Sequence, residues 1–359
     1  MRTRFILALA ISCLATPALA QEQSCGDKSR GLPVSRVVEI DPTGGPLYGD
    51  ISRYAREESF LAPKEVVLTF DDGPMPWITK SILDTLDRYC TKATFFAVGR
   101  MAIAYPASVK DVMARGHTMG THTWSHPLNL RRLPLDKSKD QIERGFAAVA
   151  MAAGKPIAPF FRFPGLSDSD PMLAHLQSRG VASFTVDVVS NDSYIGDASR
   201  LAAYTIKQIE QRQGGIVLFH DIKAATAKAL PTILAALKEK GYKVVHLRSK
   251  TTFEPKPELV AELQPALTKS LAAAKEKQML PFYGSILPGE AELPVTELAP
   301  PPRARKPGAN PDGPKTAHRQ GVAGEEAVEV EAPPPAAKPK RRHRQPQTQQ
   351  DSIFPPFFD

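Results

Sequence analysis

Long apolar runs, clustered charge and cysteine are all scarce in this chain, and each scarcity removes a class of protein. Past residue 20 no stretch is long and apolar enough to cross a bilayer, so no integral membrane segment is expected there. Lys and Arg number 46 against 38 Asp and Glu, a formal charge of +8, yet that charge is scattered and no basic helix with interleaved aromatics occurs. Nucleic acid is therefore not an expected partner, and the charge reads as a solvated basic face. Cysteines number three in 359 residues. Cys13 lies in the first apolar stretch, which leaves Cys25 and Cys90. In an oxidising compartment these two can pair and pin the N-terminal arm to the body, with two unrelated buried thiols as the alternative.

The first twenty residues carry the marks of a secretory signal peptide. Arg2 and Arg4 supply the charged start, Phe5 to Leu14 a short apolar core, and Ala18-Leu19-Ala20 a small-x-small cleavage site. The expectation is an exported protein, periplasmic or extracellular, that begins at Gln21. Residues 21–64 read as an irregular arm with a short strand at Val37 to Ile40.

Residues 65–250 alternate strand and helix. Strand-like runs lie at Val66 to Phe70, Ala93 to Val98, Thr118 to Thr121, Pro159 to Phe163, Ala182 to Val188, Ile216 to Phe219 and Lys243 to Leu247. Helical stretches fall between them: 81–89, 106–115, 137–153, one capped by Asp170 before Pro171, one capped by Asp197, and 225–240 ending at Gly241. Repeated units of this kind argue for an α/β fold with a mostly parallel sheet. About seven of them, with polar motifs at the strand ends, argue for a distorted (β/α) barrel of the TIM type. More than half of the 34 prolines lie after Lys250, so residues 251–359 read as a Pro-rich, largely disordered tail, with one helix within Thr251 to Ala274. Its basic knot (Lys338, Lys340, Arg341, Arg342, Arg344) suggests weak electrostatic contact with anionic envelope polymers, and its aromatic end, Ile353 to Phe358, a docking peptide.

The chemistry gathers at the ends of the strand-like runs. Val66-Val67-Leu68-Thr69-Phe70 is an apolar, β-branched strand that delivers Asp71 and Asp72 before a Gly73-Pro74 break. Strand geometry points the two carboxylates to different sides, free to take different roles. His122 and His126, four apart and just after a strand, can reach one metal ion, and with Asp72 they make a two-His, one-carboxylate set that leaves room for water. Arg162, in Arg162-Phe163-Pro164-Gly165, is expected to keep Asp71 ionised and lower its pKa. A fourth segment runs Asp187-Val188-Val189-Ser190-Asn191-Asp192, and a fifth, Ile216-Val217-Leu218-Phe219, ends in His220-Asp221. His220 offers an imidazole that can titrate near neutrality; taken alone, it reads better as a structural histidine, as does His117.

Taken together, these segments resemble the polysaccharide deacetylases of the NodB-homology type, carbohydrate esterase family 4. The resemblance rests on Thr69-Phe70-Asp71-Asp72-Gly73-Pro74 and on His122-Thr123-Trp124-Ser125-His126-Pro127, and covers about Glu65 to Leu247. It implies Asp71 as general base, with Asp72, His122 and His126 holding a divalent metal, usually Zn2+, with Co2+ or Ni2+ as substitutes. It further implies Arg162 orienting the base, Asp192 paired with the general acid His220, and Pro164, Gly165 and Leu218 at the substrate. Two positions depart from the family pattern: Gly165 stands where an aromatic is usual, and Ser193 follows Asp192 where Trp is usual. Both departures bear on substrate more than on catalysis. The implied reaction removes N-acetyl groups from N-acetylglucosamine units of peptidoglycan or a chitin-like oligosaccharide. The alternatives are an O-acetyl esterase on xylan-like polysaccharide and an inactive glycan-binding module.

Overall fold

The computed structural model of the chain describes residues 31–279, with side chains to residue 275. The signal peptide, Cys25, the basic knot and the aromatic end lie outside these residues. One strand organises the rest: β3 (Glu65–Asp71) is buried along its whole length. Its side chains alternate, as a two-residue pleat requires. Val66, Leu68 and Phe70 pack outward against helices, while Val67 joins a separate inner cluster with Phe96, Phe160, Phe184, Ile216 and Leu218. Asp71 continues the inner series at the strand end.

The strands after β3 follow in chain order: β4 (Thr94–Ala97), β5 (Thr118–Thr121), β6 (Phe160–Phe161), β7 (Ala182–Phe184), β8 (Val188–Val189) and β9 (Gly214–His220). Each of β4 to β7 pairs in parallel with its predecessor, and β9 closes back on β3 from Glu65↔Gly214 to Asp71↔His220. Between β7 and β8 the ladder is broken among the described residues. There β7 pairs instead with β2 (Leu47–Tyr48), while β8 pairs with β9. The result is a seven-strand parallel barrel with one seam.

Helices cover the outside: α1 (Pro76–Arg88), α2 (Gly99–Ala104), α3 (Pro106–Ala114), α4 (Leu135–Ala153), α5 (Asp170–Ser178), α6 (Ala198–Arg212) and α7 (Ala224–Glu239). Their ends carry ordinary signals. Pro opens α1 and α3 at the first positions, where its missing N–H costs nothing. The Asp197 carboxylate caps α6 by accepting the Arg200 N–H at 2.8 Å, and Gly154 ends α4 in the left-handed conformation.

Several sequence expectations are corrected. The N-terminal arm is not merely an irregular wrap: β1 (Val34–Ile40) is a seven-residue strand paired in parallel with β10 (Lys243–Ser249). It was legible only from Val37, because Ser35 and Arg36 interrupt the apolar pattern. The run at 182–188 is two short strands, not one, with the seam between them. The cap of α5 is Ser169, with Asp170 already in the first turn. Helix α2, six residues long, gave no periodic signal. Past Lys250 the chain still packs: α8 (Pro257–Met279) buries Leu259, Leu263 and Leu267 against Ile103, Ala147 and Ala148. Each such leucine is worth about 1.5–3 kcal/mol of apolar burial. Among the described residues no helix is long and apolar enough to cross a membrane.

Candidate active site

Five segments meet at the C-terminal end of the barrel. Asp71 is the last residue of β3. Asp72 follows with φ +78°, a left-handed conformation that Asp adopts more readily than most residues. That twist corrects the alternation argument. The two carboxylates do not face opposite ways: Asp71 Oδ2 lies 3.8 Å and Asp72 Oδ1 3.6 Å from the same atom, His122 Nε2. Asp72 Oδ1 also lies 3.3 Å from His126 Nε2, and Asp72 Oδ2 lies 4.0 Å from His220 Nε2. His122 and His126 sit in a tight loop after β5, with Thr123 and His126 at positive φ and ring centroids 4.7 Å apart.

The ligand atoms of Asp72, His122 and His126 all lie within 4.8 Å of one another. Two further facts fit a cation there. His122 Nδ1–H donates to the Arg162 carbonyl at 2.7 Å, which fixes the tautomer and leaves the Nε2 lone pair facing Asp72. Asp72 Oδ1 is buried with no hydrogen-bond donor, a costly state for a carboxylate oxygen unless a cation meets it. Burial pushes both imidazoles down, with the neighbouring His126 adding to the effect on His122, so both are neutral and able to ligate.

Arg162 is fully buried. Its Nη1–H donates to Asp71 Oδ1 and to the Thr69 hydroxyl, both at 2.8 Å. Its Nε and Nη2 donate to the carbonyls of Phe184 and Thr185, both at 3.2 Å, and its guanidinium lies over the Phe96 ring. The expected depression of the Asp71 pKa is not found. Burial outweighs the pull of Arg162 and His220 and pushes the carboxyl up to about 6.

His220, the last residue of β9, lies directly across the ladder from Asp71. Asp192 holds it twice: Oδ1 pairs with Nδ1 at 2.6 Å and Oδ2 accepts the His220 backbone N–H at 2.7 Å. Thr226 Oγ1–H donates to the same Oδ2 at 2.6 Å. Burial opposes charge on this imidazole, yet Asp192, with Asp72 and Asp71, lifts it to about 9. Leu218 lies two residues before it on the inner face. Pro164 and Gly165 form the single turn after β6, with Pro164 buried and Gly165 exposed at φ +59°.

Sequence reasoning passed over three residues here. Thr69 and Thr226 look like ordinary strand and helix positions, and only the fold shows them bonded to Arg162 and Asp192. Asp221 stood in plain view beside His220. It is buried, and burial lifts its carboxyl to about 7 although Thr79 bonds to it. His117 is structural: its Nδ1 accepts the Ala93 N–H at 3.1 Å and its ring packs edge-on against Phe95.

The family model described as polysaccharide deacetylase matches residues 61–184. The chain is 34% identical over 185 residues to a peptidoglycan-N-acetylglucosamine deacetylase of Listeria monocytogenes, covering 51% of this chain and 38% of that protein. It therefore spans about two fifths of that relative's length. A peptidoglycan-N-acetylglucosamine deacetylase of Bacillus cereus is 30% identical over 212 residues, 58% of this chain and 93% of its own. Among solved structures, a peptidoglycan deacetylase of Bdellovibrio bacteriovorus is similar with a TM-score of 0.56 and 32% identity, covering 62% of this chain and 61% of that one.

Proposed function

The chain belongs to the polysaccharide deacetylase family, and from that premise we propose that it hydrolyses N-acetyl groups from N-acetylglucosamine units of a polysaccharide, peptidoglycan first, releasing acetate. The observation that carries the reading is the buried, donor-free Asp72 Oδ1 facing the Nε2 atoms of His122 and His126. These three residues would hold a divalent cation, with zinc the expected ion and cobalt or nickel able to replace it. When bound, such a cation supplies Lewis acidity and makes water acidic enough to attack near neutral pH.

The remaining roles belong to the chain's own groups. Asp71 accepts the proton of the attacking water, and Arg162 holds that carboxylate in one orientation through the 2.8 Å bond to Oδ1. The Gly165 N–H donates to the oxyanion that develops on the acetyl carbonyl. Pro164 shapes the turn that presents it, and Leu218 lines the wall for the acetyl methyl. Because Asp192 occupies Nδ1, His220 offers its Nε2–H to the nitrogen of the leaving amino sugar. A poor leaving group of this kind departs only once protonated.

A peptidoglycan substrate lies outside the cytoplasm, so the proposal includes export to a periplasm or beyond. The secretory pattern of residues 1–20 and the disulfide bonding of Cys90 support it. Mass spectrometry of acetylated peptidoglycan fragments, chitooligosaccharides and acetylated xylan incubated with the protein, with and without chelator, tests the reading. Chelator-sensitive loss of N-acetyl groups is expected. Loss of O-acetyl groups alone, or no reaction with any glycan, would overturn it.

A further inference from the structure

Asp221 takes no part in the chemistry above, yet it is buried at the point where two site-bearing segments meet. Its side chain reaches across to the turn after β3. Oδ1 accepts the Gly73 N–H at 2.9 Å, and Oδ2 accepts the Thr79 hydroxyl at 2.6 Å. Thr79 Oγ1 in turn accepts the Met75 N–H at 2.8 Å, so one carboxylate gathers both limbs of the turn. The backbone of Asp221 adds a third tie, its N–H donating to the Asp71 carbonyl at 3.1 Å. The fit is close: a Cβ placed on Gly73 would lie 2.0 Å from Asp221 Oδ2, so only glycine fits beside this carboxylate.

The residue inside this clamp is Asp72, with φ +78°. That conformation is uncommon for a residue with a Cβ and persists where the surroundings impose it. It is also what turns Asp72 toward His122 and His126. At the other end of the clamp, Asp221 directly follows His220. One side chain therefore fixes both the aim of Asp72 and its 4.0 Å separation from the His220 imidazole.

We propose that Asp221 is a positioning residue that holds Asp72 in its ligating orientation through the Gly73 N–H and Thr79, and so sets the metal affinity of the site. The inference rests on the reading of Asp72, His122 and His126 as ligands. Donor and acceptor accounting separates two substitutions. Asp221→Ala leaves the buried Gly73 N–H without an acceptor. Asp221→Asn keeps that acceptor and directs its amide N–H to the free lone pair of Thr79 Oγ1, whose proton can turn to the residue-221 carbonyl, 3.3 Å away.

The test is zinc affinity by calorimetry, with the Co2+ absorption spectrum as a report on coordination, in the full chain. Asp221→Ala is expected to weaken zinc binding by about 10–100-fold, the usual cost of losing a group that orients a ligand. Asp221→Asn should stay within a few-fold of the parent, and Thr79→Ala should fall between. If Asp221→Ala does not fold, the Thr79→Ala and Asp221→Asn pair decides by the same measurements. Parent-like zinc affinity and cobalt spectrum in folded Asp221→Ala, or in Thr79→Ala if that variant must decide, would overturn the inference, since a purely structural role lowers thermal stability without moving either. A parent chain that binds no zinc would overturn the ligand reading itself, and this inference with it.

Discussion

His220 and His246 lie on consecutive strands, both largely buried, and they reach opposite charge states. His220 stands at the end of β9 against Asp192 and is lifted to about 9. His246 lies on β10 at the other end of the barrel, where it meets the Thr118 hydroxyl at the start of β5. Burial, with Arg248 and Lys92 nearby, pushes it down to about 3. Burial disfavours the charged imidazole in both places; a carboxylate at 2.6 Å reverses the result in one of them. A buried histidine becomes a proton donor only when the fold supplies a buried anion beside it.

The largest expected effect lies at the proposed metal ligands. His122→Ala should lose bound metal and nearly all turnover, while His246→Ala keeps both; metal analysis with an activity assay checks the pair. Full metal occupancy in His122→Ala would break the assignment.

Next comes His220, the proposed proton donor. General acid catalysis is typically worth about 10²–10⁴-fold. His220→Ala should slow amide hydrolysis by that order and scarcely slow an activated acetyl ester, whose leaving group needs no proton. Equal loss on both substrates would place His220 with His246 as a structural residue.

A smaller effect sharpens the role of the anion. The pH profile of kcat/KM should be bell-shaped, rising as Asp71 ionises at about 6 or lower once a cation sits beside it, and falling as His220 deprotonates near 9. Asp192→Asn should move the falling limb toward the ordinary histidine value of about 6.5. An unmoved limb would mean that another group controls it.

The smallest effect belongs to the quiet end. The folded pKa of His246 lies below its unfolded value. Its contribution to stability is therefore present above about pH 6.5 and is lost as pH falls toward 3. His117, also pushed well down by burial, acts in the same direction. Denaturant midpoints at pH 7 and pH 5 should show a loss of about 1–2 kcal/mol from His246, and His246→Leu should flatten that dependence.

The barrel was legible because its strands are apolar runs that end in polar motifs: β3 and β5 sit where the hydrophobic pattern puts them. Of the candidate site, the cluster of Asp72, His122 and His126 was legible from the four-residue spacing of the two histidines and the carboxylate at a strand end. Burial, and what depends on it, was less so. The rise in the Asp71 pKa needs knowledge that no solvent reaches the carboxylate. The convergence of Asp71 and Asp72 needs the positive φ of Asp72, which a two-residue alternation argument cannot foresee. Asp221 was visible as a letter but not as a clamp, because its partners at Gly73 and Thr79 lie about 150 positions earlier in the chain.

The seam between β7 and β8 gives Arg162 a second occupation. At the end of β7, next to this seam, the guanidinium donates to the carbonyls of Phe184 and Thr185. Arg162 is thus masonry as well as a neighbour of the candidate site: one side chain both holds the Asp71 carboxylate and ties down the carbonyls at the end of β7. Arg162→Lys keeps the positive charge but lacks the planar fork that reaches four oxygens at once. A crippled Arg162 variant is therefore ambiguous evidence about catalysis until the wall of the barrel has been checked by amide exchange at residues 184–187.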